Sequence, residues 1–155
     1  MKTRTALRVI VTAVMVCTSH GAVAESATQF ELHKYEGQVV VLDFWASWCV
    51  PCRRSFPWLN AMHEKYSSQG LVVIGVNVDN DPAAAAAFLK EYPADFQIHY
   101  DTDAVLARQY DIQGMPSSVV IGRDGDIVET HIGFKVKRQN DYEAALVAAL
   151  NEGDE

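Results

Sequence analysis

The chain has 155 residues, 49% of them hydrophobic, with 13 Lys+Arg against 20 Asp+Glu and a formal net charge of −7. That length supports one domain with a substantial core, not two. The acidic balance repels nucleic acid and anionic membrane surfaces, and three cysteines are too few for a disulfide-stapled scaffold.

Residues 1–24 read as an export signal and not as part of the core. Lys2, Arg4 and Arg8 form a positive start, Val9 to Cys17 is apolar, and Ala22-Val23-Ala24 is a small-x-small cleavage site. The apolar stretch is too short to span a bilayer, so cleavage after Ala24 is expected, with retention as an uncleaved membrane anchor the other outcome. Lipidation at Cys17 is disfavoured by the bulky Val16 before it. Cleavage removes three basic and no acidic side chains, which leaves a formal charge of −10 on residues 25–155, a single domain. It also removes Cys17, so that domain holds only Cys49 and Cys52.

Residues 25–38 are polar and irregular, with Phe30 and Leu32 suited to a short edge strand and Gly37 to a turn. Val39 to Trp45 is a β-branched and aromatic run that reads as a strand buried on both faces. From Cys52 to Ser68, Phe56, Leu59, Met62, His63 and Tyr66 recur at helical spacing and predict an amphipathic helix. The dithiol Trp48-Cys49-Val50-Pro51-Cys52 lies at the join.

Cys49 thus sits at a helix N-terminus, where unpaired N–H groups and the positive end of the macrodipole favour a thiolate. A fall in thiol pKa from about 8.5 to about 7 corresponds to roughly 2 kcal/mol. Cys49 is therefore expected to attack, and Cys52, one turn inside the helix, to resolve the mixed disulfide. The resolving thiol needs a base. Asp43 is a lone carboxylate in an apolar strand, and burial beneath the dithiol would raise its pKa; the alternative is that it caps an exposed strand end.

Gly70 closes the helix and Leu71 to Asp79 is a second buried strand, which makes a right-handed βαβ unit with a parallel pair. Asp81-Pro82 starts an alanine-rich helix to about Tyr92. Phe96 to Tyr100 suits a short strand, and Asp103 to Tyr110 a helix capped near Asp101 or Thr102. Gly114-Met115-Pro116 leads into a strand from Ser117 to Gly122. A turn at Arg123-Asp124-Gly125-Asp126 then joins it to Ile127–Gly133 as an antiparallel hairpin. Asn140 with Glu143 resembles a capping box for a final helix whose Tyr142, Leu146 and Leu150 face the sheet.

These residues resemble the thioredoxin superfamily, and within it the TlpA/ResA/DsbE-like exported thiol-disulfide oxidoreductases. Phe44 to Arg53 (FWASWCVPCR) is similar to the family's FWA-x-WC-x-PC-[RK] signature, and Pro57 matches the proline of its active-site helix. Met115-Pro116 resembles the cis-proline loop and Gly133 the glycine that lines the substrate groove. The likeness runs from about Phe30 to Leu150.

The resemblance implies an α/β, thioredoxin-like fold: a central mixed β-sheet flanked by helices, with an extra helix-strand insert between Asp81 and Tyr100. It implies Cys49, Cys52 and Asp43 as the catalytic set and Trp48, Met115, Pro116 and Gly133 as the substrate-binding set. No cofactor or metal is called for. The implied partners are cysteine-containing exported proteins, among them apocytochromes c, and a membrane thiol-disulfide electron donor; the protein is expected to be a monomer in the periplasm or another extracytoplasmic space. Two departures stand out: Asp43 where this branch often has Asn, and Ser55 where many members carry Glu.

Competing chemistries are weaker. Zinc needs four ligands and no second cysteine pair exists; His33, His63, His99 and His131 are scattered and read as surface or packing residues. A structural disulfide across so short a loop stabilises little. Copper chaperones of the superfamily resemble a CxxxC plus a distant His, unlike this CxxC. Disulfide-donating oxidants of the DsbA type resemble CPHC, whereas Val50-Pro51 lies between the cysteines here, so a reductase is favoured over an oxidase.

Overall fold

The computed structural model describes residues 30–152, so the export signal lies outside the described residues. Five strands, β1 (Val39–Trp45), β2 (Leu71–Asn77), β3 (Gln97–Tyr100), β4 (Ser117–Ile121) and β5 (Ile127–Ile132), form one sheet in the order β3-β2-β1-β4-β5. The β1–β2 and β2–β3 pairs are parallel and the β1–β4 and β4–β5 pairs antiparallel. The helices are α1 (Cys52–Tyr66), α2 (Pro82–Glu91), α3 (Val105–Gln109) and α4 (Gln139–Asn151). This is the mixed, helix-flanked sheet with a helix-strand insert that the sequence implied.

Strand geometry explains why β1 is apolar along its whole length except at Asp43. Successive side chains point to opposite faces, and each face is covered. Val39, Val41 and Trp45 join a cluster with Cys52, Phe56 and Leu59 of α1, Ala85 and Phe88 of α2, and Leu146 and Leu150 of α4. Val40, Leu42 and Phe44 join Ile74, Val119 and Leu106 of α3 on the other face. Trp45, Phe56 and Phe88 meet with ring centroids 4.7 to 5.0 Å apart, an aromatic centre directly beneath the start of α1.

Three local expectations are corrected. Phe30 and Leu32 form no edge strand; Leu32–Tyr35 is a 3₁₀ turn, and Phe30 stacks on Tyr35 and meets His99 edge-on, so its ring finds contact without a ladder. The first helix ends at Tyr66, and Ser67–Gln69 tightens into a 3₁₀ turn closed by Gly70 at φ 94°. No capping box opens α4. A 3₁₀ turn at Val136–Arg138 runs straight into it, and Glu143 instead accepts from Lys65 Nζ and Tyr66 Oη, both at 2.6 Å.

Elsewhere the expected caps form. Asp81 accepts from Ala83 N at the start of α2, and the Asp101 carboxylate accepts from the backbone N–H groups of Val105, Leu106 and Ala107. The hairpin turns at Gly125, φ 89°, a conformation glycine adopts at no steric cost.

Candidate active site

The chain leaves β1 at Trp45 and reaches α1 at Cys52, and a buried acid holds the loop between. Asp79, just past β2, accepts from Ser47 N (2.8 Å), Ser47 Oγ (2.9 Å) and Asn77 Nδ2 (2.8 Å). Cys49 N then donates to the Ala46 carbonyl at 3.0 Å, and Cys52 N to the Cys49 carbonyl at 3.1 Å. Cys49 and Cys52 are joined as a disulfide with their Cα atoms 5.4 Å apart. Cys52 is fully buried and Cys49 is 3% exposed, while their neighbours Trp48 and Val50 project at 67% and 58%. The dithiol therefore lies just under the surface inside a projecting apolar rim. Ser55, in the position where a Glu is common in this branch, is buried and turns its hydroxyl to the Cys52 carbonyl at 3.1 Å.

Asp43 does not cap an exposed strand end. It is 1% exposed in the middle of β1 and, by strand alternation, shares the face of Val41 and Trp45 that carries α1 and Cys52. Its Oδ1 accepts from Ser118 Oγ at 2.6 Å, and its Oδ2 has no partner. Burial pushes its pKa up to about 7, against the lowering effect of the Ser118 hydrogen bond. A carboxyl so placed exchanges protons near neutrality, as a proton acceptor for a buried thiol must.

The Met115–Pro116 bond is cis. The following residue, Ser117, pairs with Phe44 of β1 and Ile132 of β5, and its hydroxyl donates to the Gly114 carbonyl at 2.6 Å. Gly133, at φ 76°, donates its N–H to the Pro116 carbonyl at 2.7 Å. Because β4 runs antiparallel to β1, its first residue lies where β1 ends. Met115, Pro116 and Gly133 thus gather at the end of the sheet from which the dithiol loop departs. Met115 is half-buried against the cluster that contains both cysteines, and Trp58 packs at 5.7 Å from Phe134 and 5.9 Å from Tyr142. Among the described residues, no three His, Cys, Asp or Glu side chains converge to hold a metal.

Two residues escaped the sequence reading. Asp79 carries the signal that singled out Asp43, a lone acid at the end of an apolar run. Ser118 carries none; only the β1–β4 register sets it opposite Asp43.

A family model described as Redoxin matches residues 15–146. Thiol-disulfide oxidoreductase ResA of Bacillus cereus is 32% identical over 111 residues, which cover 72% of this chain and 64% of that protein. ResA of Bacillus subtilis (strain 168) is 32% identical over 105 residues, 68% of this chain and 59% of its own length. The chain therefore spans somewhat less than two thirds of the length of these relatives. A solved chain from Chlorobium tepidum, described as a candidate thiol:disulfide interchange protein DsbE, matches with a TM-score of 0.76 at 42% identity, over 77% of this chain and 85% of that one. With its mixed sheet, its dithiol at a helix N-terminus and these likenesses together, the chain belongs to the redoxin family of the thioredoxin superfamily, in its ResA/DsbE-like branch.

Proposed function

We propose that this protein is an extracytoplasmic thiol:disulfide oxidoreductase that reduces disulfides in exported proteins, apocytochromes c among them. The observation that carries the reading is the Cys49–Cys52 pair at the N-terminus of α1, with a buried Asp43, of pKa about 7, on the face of β1 that carries α1. Export is supported by the pattern of residues 1–24, and reduction by Val50-Pro51 between the cysteines, which offers no histidine to over-stabilise the thiolate.

In the reduced protein the Cys49 thiolate attacks one sulfur of a client disulfide. That bond breaks, a mixed disulfide forms, and the departing client thiolate takes a proton from solvent. Cys52 then passes its proton to Asp43 and attacks Cys49 Sγ, releasing the second client thiolate and closing Cys49–Cys52. Two electrons have moved from the dithiol to the client. The Met115 backbone beside the cis bond holds the client strand by main-chain pairing, with Gly133 lining the groove and Trp48 as an apolar contact. A membrane thiol-disulfide donor returns the electrons.

Insulin reduction tests this. Cys49→Ser should abolish turnover, and Cys52→Ser should accumulate a mixed disulfide detectable by mass. A Cys49→Ser protein that reduces insulin at the wild-type rate would refute the mechanism. The reduction potential of the pair tests direction: a value near about −270 mV marks an electron donor, and one near about −120 mV a disulfide donor, which would overturn the reductase reading.

A further inference from the structure

We propose, resting on the exchange mechanism above, that Ser118 and His131 form a proton relay between the buried carboxyl of Asp43 and solvent. The mechanism loads a proton onto Asp43 at every closure of the disulfide, yet that side chain is 1% exposed. Re-opening of the disulfide can return this proton to Cys52, but a carboxyl that titrates at about 7 must also exchange protons with solvent to act as a base, and the sheet offers a route across three strands in one register. Asp43 pairs with Ser118 across β1–β4, and Ser118 pairs with His131 across β4–β5. All three residues therefore project from the same face of the sheet.

The contacts along this line run from buried to exposed. Ser118 Oγ is 2.6 Å from Asp43 Oδ1. A cavity of about 10 Å³ is lined by Ser118, His131 and Gly133 together with Trp58, Phe134 and Tyr142. That is room for about one water. His131 Nε2 is buried without a partner, as is Asp43 Oδ2. On the outer side of the same ring, Nδ1 lies 3.4 Å from Oε1 of Glu129, whose side chain is half-exposed. A hydroxyl both donates and accepts, and an imidazole can take a proton at one nitrogen and release one at the other.

The proton balance is simple. Protonated Asp43 gives its proton to Ser118 Oγ as the hydroxyl gives its own to His131 Nε2 through one water in the cavity between them. The imidazolium then loses the Nδ1 proton to Glu129 or solvent, so one proton enters and one leaves. A second hydroxyl rotation and ring tautomer exchange reset the chain. Burial lowers the His131 pKa from its ordinary value, Glu129 opposes this and Arg138 adds to it, so the surroundings favour the neutral ring over the charged one. Tyr142 of α4 also faces the ring, with its centroid 4.7 Å away, and Arg138 is itself paired with Asp141 at 3.0 Å.

The test is single-turnover closure of Cys49–Cys52 in the reduced full-length protein at about pH 6, where most Asp43 starts protonated and must give up its proton before it can act as base; the protein is mixed with a saturating small aromatic disulfide in a buffer free of imidazole. His131→Gln should slow closure by about tenfold, short of the roughly hundredfold expected for a group that touches the reacting atoms. The loss should fall on closure and not on the bimolecular attack by Cys49. In His131→Gly, added imidazole should restore the rate in proportion to its concentration. In Ser118→Ala it should not, because the break there is next to Asp43. A His131→Gln protein closing at the wild-type rate, or a slow His131→Gly protein indifferent to imidazole, would overturn the relay. A wild-type protein that reduces no disulfide would instead overturn the proposed function, so the two failures are distinguishable.

Discussion

Replacing Asp43 with Asn should shift the stability of the oxidised protein increasingly in favour of the variant as pH rises, with net stabilisation at about pH 8. An unfolded aspartate titrates at 3.8, whereas burial raises the native value to about 7. Between those values the native state holds a proton that the unfolded state has lost, so stability falls with rising pH and levels off above the native pKa. A gap of about 3 units corresponds to roughly 4 kcal/mol of destabilisation once both states are ionised, at about pH 8, and to roughly 2 kcal/mol at about pH 5. Asn carries no such term, although its Nδ2 would take the place of the unpartnered Oδ2 at a pH-independent cost of about 1–3 kcal/mol. The difference in unfolding free energy between variant and wild type should therefore move by about 2–3 kcal/mol in favour of the variant between about pH 5 and about pH 8. Urea unfolding of both disulfide forms at the two pH values measures it. A difference that stays constant would show that Asp43 titrates normally, and would remove the base from the mechanism.

Asp79→Ala should cost about 3 kcal/mol or more in urea unfolding, because it strands Ser47 N and Asn77 Nδ2 inside the protein; a loss below about 1 kcal/mol would mean that the dithiol loop is held by other contacts. Gly75→Ala should destabilise by about 1–3 kcal/mol through overpacking, since a Cβ there would sit 3.0 Å from Ile98 Cδ1 and Phe96 Cε2 and 3.1 Å from Trp45 Nε1. An unchanged melting temperature would contradict that geometry. Trp48→Ala should raise KM for a protein disulfide by about thirtyfold, the value of an exposed aromatic anchor worth about 2 kcal/mol, while sparing turnover of glutathione disulfide. Equal losses on both substrates would assign Trp48 to the dithiol itself.

The strands and helices were largely legible because each carries its own periodicity. β1 and β2 are apolar runs, broken only at Asp43 and ending on Asn77, since both faces are covered, and α1 shows its buried stripe at Phe56, Leu59, Met62 and Tyr66. The elements that were misread depend on remote partners. Glu143 looked like a capping residue from its spacing to Asn140, but Lys65 and Tyr66 lie 78 and 77 positions away in the chain and claim its carboxylate. Phe30 and Leu32 alternate like a strand, yet the ring of Phe30 is taken by Tyr35 and His99.

The dithiol and its acid were visible in the sequence because local chemistry demands them: two cysteines at a strand-to-helix join, and one carboxylate in an apolar run. What the fold alone decided is what surrounds that acid. Ser118 reaches Asp43 across 75 residues, and His131 comes to lie beside Ser118 only because β4 and β5 pair in one register and not in its one-residue neighbour. A shift of one residue would turn every side chain of β5 to the opposite face. Periodicity along the chain specifies which face of an element is buried. Which polar group meets which other in that buried layer is set by pairing between strands distant in sequence.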